Sequence, residues 1–318
     1  MFSLPVSETE IVSTRPAKNR LDPWKPYFTL IEPECSAEGQ IEDVLTIFLT
    51  NKECPFHCTM CDLWRNTLDE RVPVGAIPAQ IFDARSRFPE AGHVKLYNAG
   101  NFFDSQAIPP EDHAEIARLV QPFKTVIVEN HPRLTGDRCV QFRDRIGTNL
   151  EIALGLETVH SQALANLNKR MTVTDFDRAA QFLVQHQIAV RTFLLLKPPG
   201  LDEDLGLEWV LRSLKHAVEM GASCVSMIPT RGGNGIMEHL QTAGDFSPPS
   251  IRSMEQALEQ GLNYARTVSP TPRVFMDVWD SARFFDCPHC GPMRSLRIQN
   301  MNHSQRITTS ISCGVCKR

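Results

Sequence analysis

Seven short apolar runs recur along the chain, at 44–49, 94–97, 125–128, 152–156, 190–196, 224–228 and 274–278. Each is rich in Val, Ile, Leu or Phe and short enough to be a strand buried on both faces. Helical patterns fill the gaps. Phe176, Ala179, Ala180, Leu183 and Val184 fall on one helical face, with Thr174 and Asp177 placed to cap that helix. From Glu203 to Met220, Leu205 pairs with Trp209 and Val210 with Leu214 and Val218, before Gly221 stops the helix. Strand–helix alternation at this spacing predicts parallel βαβ units with right-handed crossovers, in a barrel or an open sheet. At 318 residues the chain can bury such a core. It carries no 20–50-residue repeat.

The pattern changes at both ends. Residues 1–42 are rich in proline and charge and read as an extension wrapping the outside of a core at 43–280. Beyond about Ser281 the cysteines pair up and no long helical pattern is visible, so 281–318 reads as a separate small module. No apolar run approaches the ~18–20 residues that span a bilayer. The N-terminus lacks the basic start and apolar core of a secretory signal. The expectation is a cytoplasmic protein without a membrane segment, in which the ten cysteines bind metal or act in catalysis more readily than they form disulfides. Cys35, Cys139 and Cys224 stand alone and read as small buried hydrophobes.

The first cysteine group is Asn51-Lys-Glu-Cys54-Pro-Phe-His-Cys58-Thr-Met-Cys61-Asp, directly after the first predicted strand. Three thiolates at spacings of three and then two residues can converge from one loop. A [4Fe–4S] cube has four irons, so three cysteines leave one iron open to another ligand. A loop that follows a strand places this group at the C-terminal end of a barrel, where such folds carry their active sites. Zinc held by the same cysteines with His57 is the competing reading, although structural zinc sites usually use two separated pairs of ligands.

Cys54-x3-Cys58-x2-Cys61 after a first strand resembles the defining motif of radical S-adenosylmethionine (SAM) enzymes, and the likeness covers about residues 43–280. It implies an α/β fold, a partial (β/α) TIM-like barrel of radical SAM type, with a small C-terminal metal-binding ribbon of four cysteines. It further implies that the open iron of a [4Fe–4S] cluster binds the amino and carboxylate groups of SAM. Reductive cleavage to a 5′-deoxyadenosyl radical then removes hydrogen from a substrate. Position by position, Asn98, Ala99, Gly100 and Asn101 stand where relatives contact the SAM amino group. Glu129 and Glu157 stand where relatives bind the ribose or amino acid end. Lys169, in Asn168-Lys169-Arg170, stands where a cation meets the SAM carboxylate. Two departures are visible: Ala-Gly-Asn replaces the usual Gly-Gly-Glu, and Met60 replaces the aromatic that often precedes the third cysteine. Within the superfamily the chain resembles the branch of the Elongator catalytic subunit and the radical SAM partner of archaeosine synthase. That branch implies a modified tRNA nucleobase as substrate, a partner subunit, and an electron donor such as flavodoxin or ferredoxin. A small metabolite or a protein as substrate, and a non-enzymatic zinc-binding nucleic-acid module, are the alternatives.

The second group, Cys287-Pro-His-Cys290 and Cys313-Gly-Val-Cys316, is a CxxC…CxxC pattern. Four sulfurs on two tight turns suit tetrahedral Zn2+, and a second Fe–S cluster would use the same ligands. From Arg283 onward six basic residues face Asp286 alone, a +5 tail on a −9 body within a net charge of −4. A basic tail on an acidic body suits an RNA-facing module or an ordinary solvated surface. Thr230-Arg231-Gly-Gly-Asn-Gly235 reads as a barrel-top loop, neither a P-loop nor a dinucleotide fingerprint. Asn98, His131, Lys197, Arg231 and Asp277 lie near strand ends, where side chains can face substrate.

Overall fold

Every one of the seven apolar runs is a strand, and an eighth strand precedes them in a single sheet ordered β1 to β8. The computed structural model describes residues 4–316. β1 (Phe28–Cys35) pairs antiparallel with β2 (Ile41–Leu49). From there the ladder is parallel through β3 (His93–Asn98), β4 (Thr125–Asn130), β5 (Asn149–Glu157), β6 (Ala189–Leu196), β7 (Cys224–Pro229) and β8 (Arg273–Met276). The helices are α1 (Glu8–Ser13), α2 (Ala76–Arg87), α3 (His113–Val120), α4 (Asp137–Ile146), α5 (Ser161–Asn166), α6 (Val173–Gln185), α7 (Glu203–Glu219), α8 (Ile236–Ala243), α9 (Ile251–Ala265) and α10 (Gly291–Ser304). The sheet curls into a half-barrel. None of these helices is long and apolar enough to cross a membrane.

The strands alternate strictly between two environments, as the two-residue period of a pleated strand requires. Leu45, Ile47, Leu96, Val128, Ile152, Leu154, Leu194 and Met227 point to the helices and form one core with Phe102, Phe142 and Phe176. The intervening positions line the barrel and include its charged and most of its aromatic strand residues. At the N-terminal end of the strands they form a charge plug. Lys95 pairs with Glu32 at 2.8 Å and Glu34 at 2.6 Å, Arg191 with Glu34 at 2.5 Å and Glu151 at 2.6 Å, and Arg273 with Glu151 at 2.5 Å. Burial would raise the Glu34 pKa, but Arg191 and Lys95 outweigh it and hold the carboxyl well below its usual range. Three cations meet three carboxylates, so the plug closes the bottom of the barrel without leaving a charge unpaired.

This plug explains why β1 is not legible as a strand in the sequence. Its inward residues are the acids Glu32 and Glu34, and Pro33 sits between them. An edge strand tolerates a proline, and acids serve there only because cations from β3 and β6 meet them. The segment at 1–42 therefore contributes a strand to the sheet as well as α1. On α1, Ser7 and Glu10 form a reciprocal capping box. Val6 and Ile11 pack against Ile236, Met237 and Leu240 of α8.

Two further differences have local causes. The helix starting near 173 is capped by Thr172 with Asp175, not by Thr174 with Asp177. Both pairs satisfy the same spacing, but Asp177 instead meets His216 of α7 at 2.6 Å. At the C-terminal end, where the sequence shows no long helical pattern, α10 runs between the two cysteine pairs. Its packed face carries Arg294 and Arg297, both buried and ion-paired to Glu255 and Glu259 of α9. An interface of paired charges has no apolar stripe to read. Phe284, Ile298 and Met301 join the main core beside it. Two of the six basic residues of the tail are thus neutralised internally, and Lys317 and Arg318 lie outside the described residues.

Candidate active site

The loop 50–62 leaves β2 at the C-terminal end of the parallel strands and carries Cys54, Cys58 and Cys61. Its backbone is held from three sides. Thr59 N–H donates to Leu167 O at 2.9 Å, and the Thr59 hydroxyl donates to Asn166 O at 2.8 Å. Asn168 Nδ2 donates to His57 O at 2.8 Å. Asn234 Nδ2 donates to both Thr59 O at 2.7 Å and Cys61 O at 3.1 Å. The glycine-rich loop after β7 therefore has a role: its buried asparagine fastens the cysteine loop. Gly235 is needed there, because a Cβ on it would collide with the Thr14 carbonyl and its φ is +97°.

Burial dominates the three thiols, and Cys54 acts on both of the others. Burial pushes the Cys58 thiol far above its usual range, with Cys61 and Cys54 adding to it and Lys169 opposing. Burial likewise pushes Cys61 up to about 12 and raises Cys54. Protonated thiols in such a place become ligands when a metal displaces the proton, because metal binding and deprotonation are coupled.

Next to the triad lies a group of asparagines at the end of β3. Asn101 Nδ2 points to Cys54 Sγ at 3.5 Å. Asn98 is 2 % exposed, and both of its side-chain polar atoms lack a partner, as does Oδ1 of buried Asn51. A Cβ at Gly100 would come into van der Waals contact with Asn51 Nδ2 and Asn98 Nδ2, each 3.4 Å away, and fill the space beside them. Buried unpaired amides are costly. Two orphaned carbonyl acceptors suit an ammonium donor. The donor set therefore fits the amino end of SAM, with Asn51 added to Asn98, Ala99, Gly100 and Asn101.

Glu157 and Lys169 are brought together rather than kept apart. They form an ion pair, 6 % and 7 % exposed. The local backbone is unusual, with Glu157, Asn168 and Arg170 at φ of 65°, 50° and 55°. The β5–β6 register shifts between Gly155 and Glu157. Outliers of this kind cluster at functional sites. Gly155 makes the pair possible, because a Cβ there would fall well inside contact of Lys169 Nζ and Glu157 Oε1. Glu129 faces the same region. Burial pushes its pKa up to about 8, against a backbone hydrogen bond involving Asn98 and the charge of Lys169. His131 stacks on Phe56 at 4.1 Å and its Nε2 lies 3.1 Å from Lys169 O, which orients the lysine segment.

The remaining strand-end candidates divide. Arg231 and Asp277 form an ion pair at the barrel mouth. Lys197 is committed elsewhere: its ammonium is spent on Glu203 at 2.6 Å, the Ser247 hydroxyl at 2.9 Å and Pro248 O at 3.3 Å.

At the other end, Cys287, Cys290, Cys313 and Cys316 place their four Sγ atoms within 4.8 Å of one another, with Cys290 and Cys316 3.9 Å apart. A tetrahedron of four sulfurs at a metal–sulfur distance of about 2.3 Å has edges of about 3.8 Å. A cube spreads its four thiolates over four separate irons and needs a wider set. The donor set fits one tetrahedral ion.

No protein-family model matches the chain. An archaeosine synthase subunit beta from Methanosarcina acetivorans is 30% identical over 213 residues, covering 64% of this chain and 61% of that protein. Its counterpart from Thermococcus kodakarensis is 26% identical over 190 residues, 58% of this chain and 57% of that one. An uncharacterized protein of Methanocaldococcus jannaschii is 24% identical over 255 residues, 75% of this chain and 70% of its own length. The chain thus spans about three fifths of the archaeosine synthase subunits it matches. Among solved structures, methylornithine synthase superposes with a TM-score of 0.55 at 16% identity, covering 84% of this chain and 71% of that one. Elp3 from Methanocaldococcus infernus gives 0.51 at 14%, covering 80% and 63%. The fold is the partial β/α barrel that these two proteins share. Within it the cysteine loop occupies the C-terminal end of the first parallel strand, as the sequence motif requires.

Proposed function

We propose that the chain is a radical SAM enzyme that modifies a tRNA nucleobase. The observation that carries this reading is a loop with three cysteines at the C-terminal mouth of the half-barrel, beside buried asparagine acceptors that lack partners. Cys54, Cys58 and Cys61 would hold a [4Fe–4S] cluster with one open iron. Bound there, SAM supplies a 5′-deoxyadenosyl radical as hydrogen abstractor.

This chain's own residues do the positioning. Asn51 and Asn98 accept hydrogen bonds from an ammonium, and Gly100 leaves room for it to approach. Lys169 meets a carboxylate while remaining oriented by Glu157, so the ligand shares a cation that the fold has already placed. Glu129, largely protonated near neutral pH, can donate a hydrogen bond to a hydroxyl as well as accept one. The four C-terminal cysteines would hold a structural Zn2+ that fixes α10 and the turns around it. The similarity to two archaeosine synthase subunits supports a tRNA base as substrate and a partner subunit. A flavodoxin- or ferredoxin-type protein would supply the electron. None of the ten cysteines, all of them among the described residues, forms a disulfide, which suits a reducing cytoplasm.

The test is 5′-deoxyadenosine formation from SAM by anaerobically reconstituted protein under a chemical reductant. Wild type should form it, and Cys58→Ala should lose it together with most of the iron. Equal cleavage by wild type and C58A would end the proposal.

A further inference from the structure

The barrel wall carries a path of aromatic rings from the solvent to the strand beside Gly155. β1 and β8 are the two ends of the sheet, bridged at the lower end by Arg273 Nη1 donating to Cys35 O at 3.3 Å, and strand pairing leaves an opening between them above it. Trp279, just after β8, and Phe28, at the start of β1, stand at that opening, 55% and 45% exposed. Their rings meet edge to face at 6.1 Å. Inward from Phe28 follow Phe48 at 5.9 Å, Tyr97 at 6.1 Å from Phe48, and Phe193 at 6.2 Å from Tyr97. Phe48, Tyr97, Phe193, Ser226 and Ile228 are only part-buried, whereas the outward-facing residues beside them on the same strands are fully buried. Space therefore remains inside the barrel above the charge plug. Tyr27 joins the path at Phe48, 5.6 Å away, and its hydroxyl lies in the field of Glu129, Asp62 and Cys61. The last ring, Phe193, is in register with Gly155, the glycine against which Lys169 and Glu157 are packed.

The opening is polar on one side and hydrogen-bonded there. Asp277 Oδ1 accepts from Trp279 N–H at 2.8 Å, Arg231 Nη1 donates to Trp279 O at 3.4 Å, and Arg231 and Asp277 pair with each other. Trp279 thus has a pinned backbone and an exposed indole. Exposed Arg283 stands alongside, donating to Gly232 O at 3.1 Å. Scattered exposed aromatics need no explanation. Two that touch, continue an internal aromatic path and have an arginine beside them are a different arrangement.

We infer that Trp279 and Phe28 form the entry subsite for an extruded nucleobase of an RNA, with Arg283 on its phosphate. This rests on the proposed function and deepens it. Enzymes that act on a base in a folded nucleic acid take it out of its stack, and aromatic faces replace the stacking it loses. The Arg231–Asp277 pair presents a donor and an acceptor to the edge of that base.

The experiment is fluorescence anisotropy of fluorescein-labelled unfractionated tRNA with the reconstituted protein, over a series of salt concentrations. Trp279→Ala and Phe28→Ala should each weaken binding about tenfold, the loss of one base–aromatic stack, with an unchanged salt slope. Trp279→Tyr should restore most of the affinity. Arg283→Gln should reduce the slope by about one. Phe82→Ala, which removes a ring 62% exposed on α2, should change nothing. Wild-type affinity in both W279A and F28A overturns the subsite, and so does an unmeasurable affinity for wild type. A protein that binds tRNA in this pattern yet never cleaves SAM would refute the proposed chemistry and leave the subsite standing.

Discussion

Gly155→Ala adds one methyl group to the most crowded point of the candidate site. The new Cβ would occupy space held by Lys169 Nζ and Glu157 Oε1. Ends of flexible side chains normally step aside at little cost, but these two are buried and paired with each other. Making room therefore means distorting the pair. Overpacking of this kind costs about 1–3 kcal/mol. Exchanging glycine for alanine within a strand returns about 0.5–1 kcal/mol, leaving a loss of up to about 2.5 kcal/mol in unfolding free energy. Complete rupture of the pair would raise the loss to about 3–5 kcal/mol. Denaturant unfolding measures it, and calorimetric titration with SAM under anaerobic conditions measures the functional side. If Lys169 has to be held by Glu157 to meet a carboxylate, SAM affinity falls about tenfold, the equivalent of about 1.4 kcal/mol. The decisive comparison repeats G155A in a chain where Lys169→Met and Glu157→Gln have replaced the pair by neutral side chains. There the substitution should cost about 1 kcal/mol less, because no charge pair resists the displacement. An equal cost in both backgrounds, or full SAM affinity in G155A, refutes the reasoning.

Two more expectations follow from separate parts of the molecule. Anaerobically prepared protein should hold about four iron and one zinc per chain. Cys290→Ser should remove the zinc while leaving the iron, so metal analysis showing both lost together would contradict two independent sites. His113 is packed among Phe102, Phe103 and Phe142 with no partner for Nε2. Burial, helped by Arg145 and Arg138, pushes its pKa down to about 4 from 6.5. The folded form keeps the ring neutral while the unfolded chain takes up a proton, so stability is full above pH 6.5 and falls as pH drops toward 4. Between about pH 6.5 and 5.5 this group accounts for a loss of about 1 kcal/mol. His113→Phe should remove that part of the slope in pH-dependent unfolding, and an unchanged slope would show that His113 is not its source.

The parallel strands were legible because their outward residues pack against helices wherever the strand sits, so each run is apolar by itself. The two cysteine groups were legible for a related reason: Cys54-x3-Cys58-x2-Cys61 and the two CxxC turns are set by chain spacing alone. Features that depend on pairing between distant segments left no such mark. β1 carries Glu32 and Glu34 into the barrel, and they make sense only beside Lys95 and Arg191. The buried face of α10 is built from Arg294 and Arg297, which look like solvated charge until Glu255 and Glu259 lie opposite. Asn51 and Asn234 are ordinary asparagines in sequence. One is left with an orphaned carbonyl next to Asn98, and the other fastens a loop more than 170 residues away. Lys169 and Glu157 were both read as ligand contacts, and the fold makes them partners first, through a glycine whose only role is the volume it leaves empty.

The sequence by itself thus determined the strand–helix cadence, the two cysteine groups and the position of the first of them at a strand's C-terminal end. Local periodicity and short-range spacing are properties of the chain. The tertiary structure alone decided which charges are neutralised, which amides lack partners and which rings line the open edge. Those depend on the few ångströms between residues that only folding brings together.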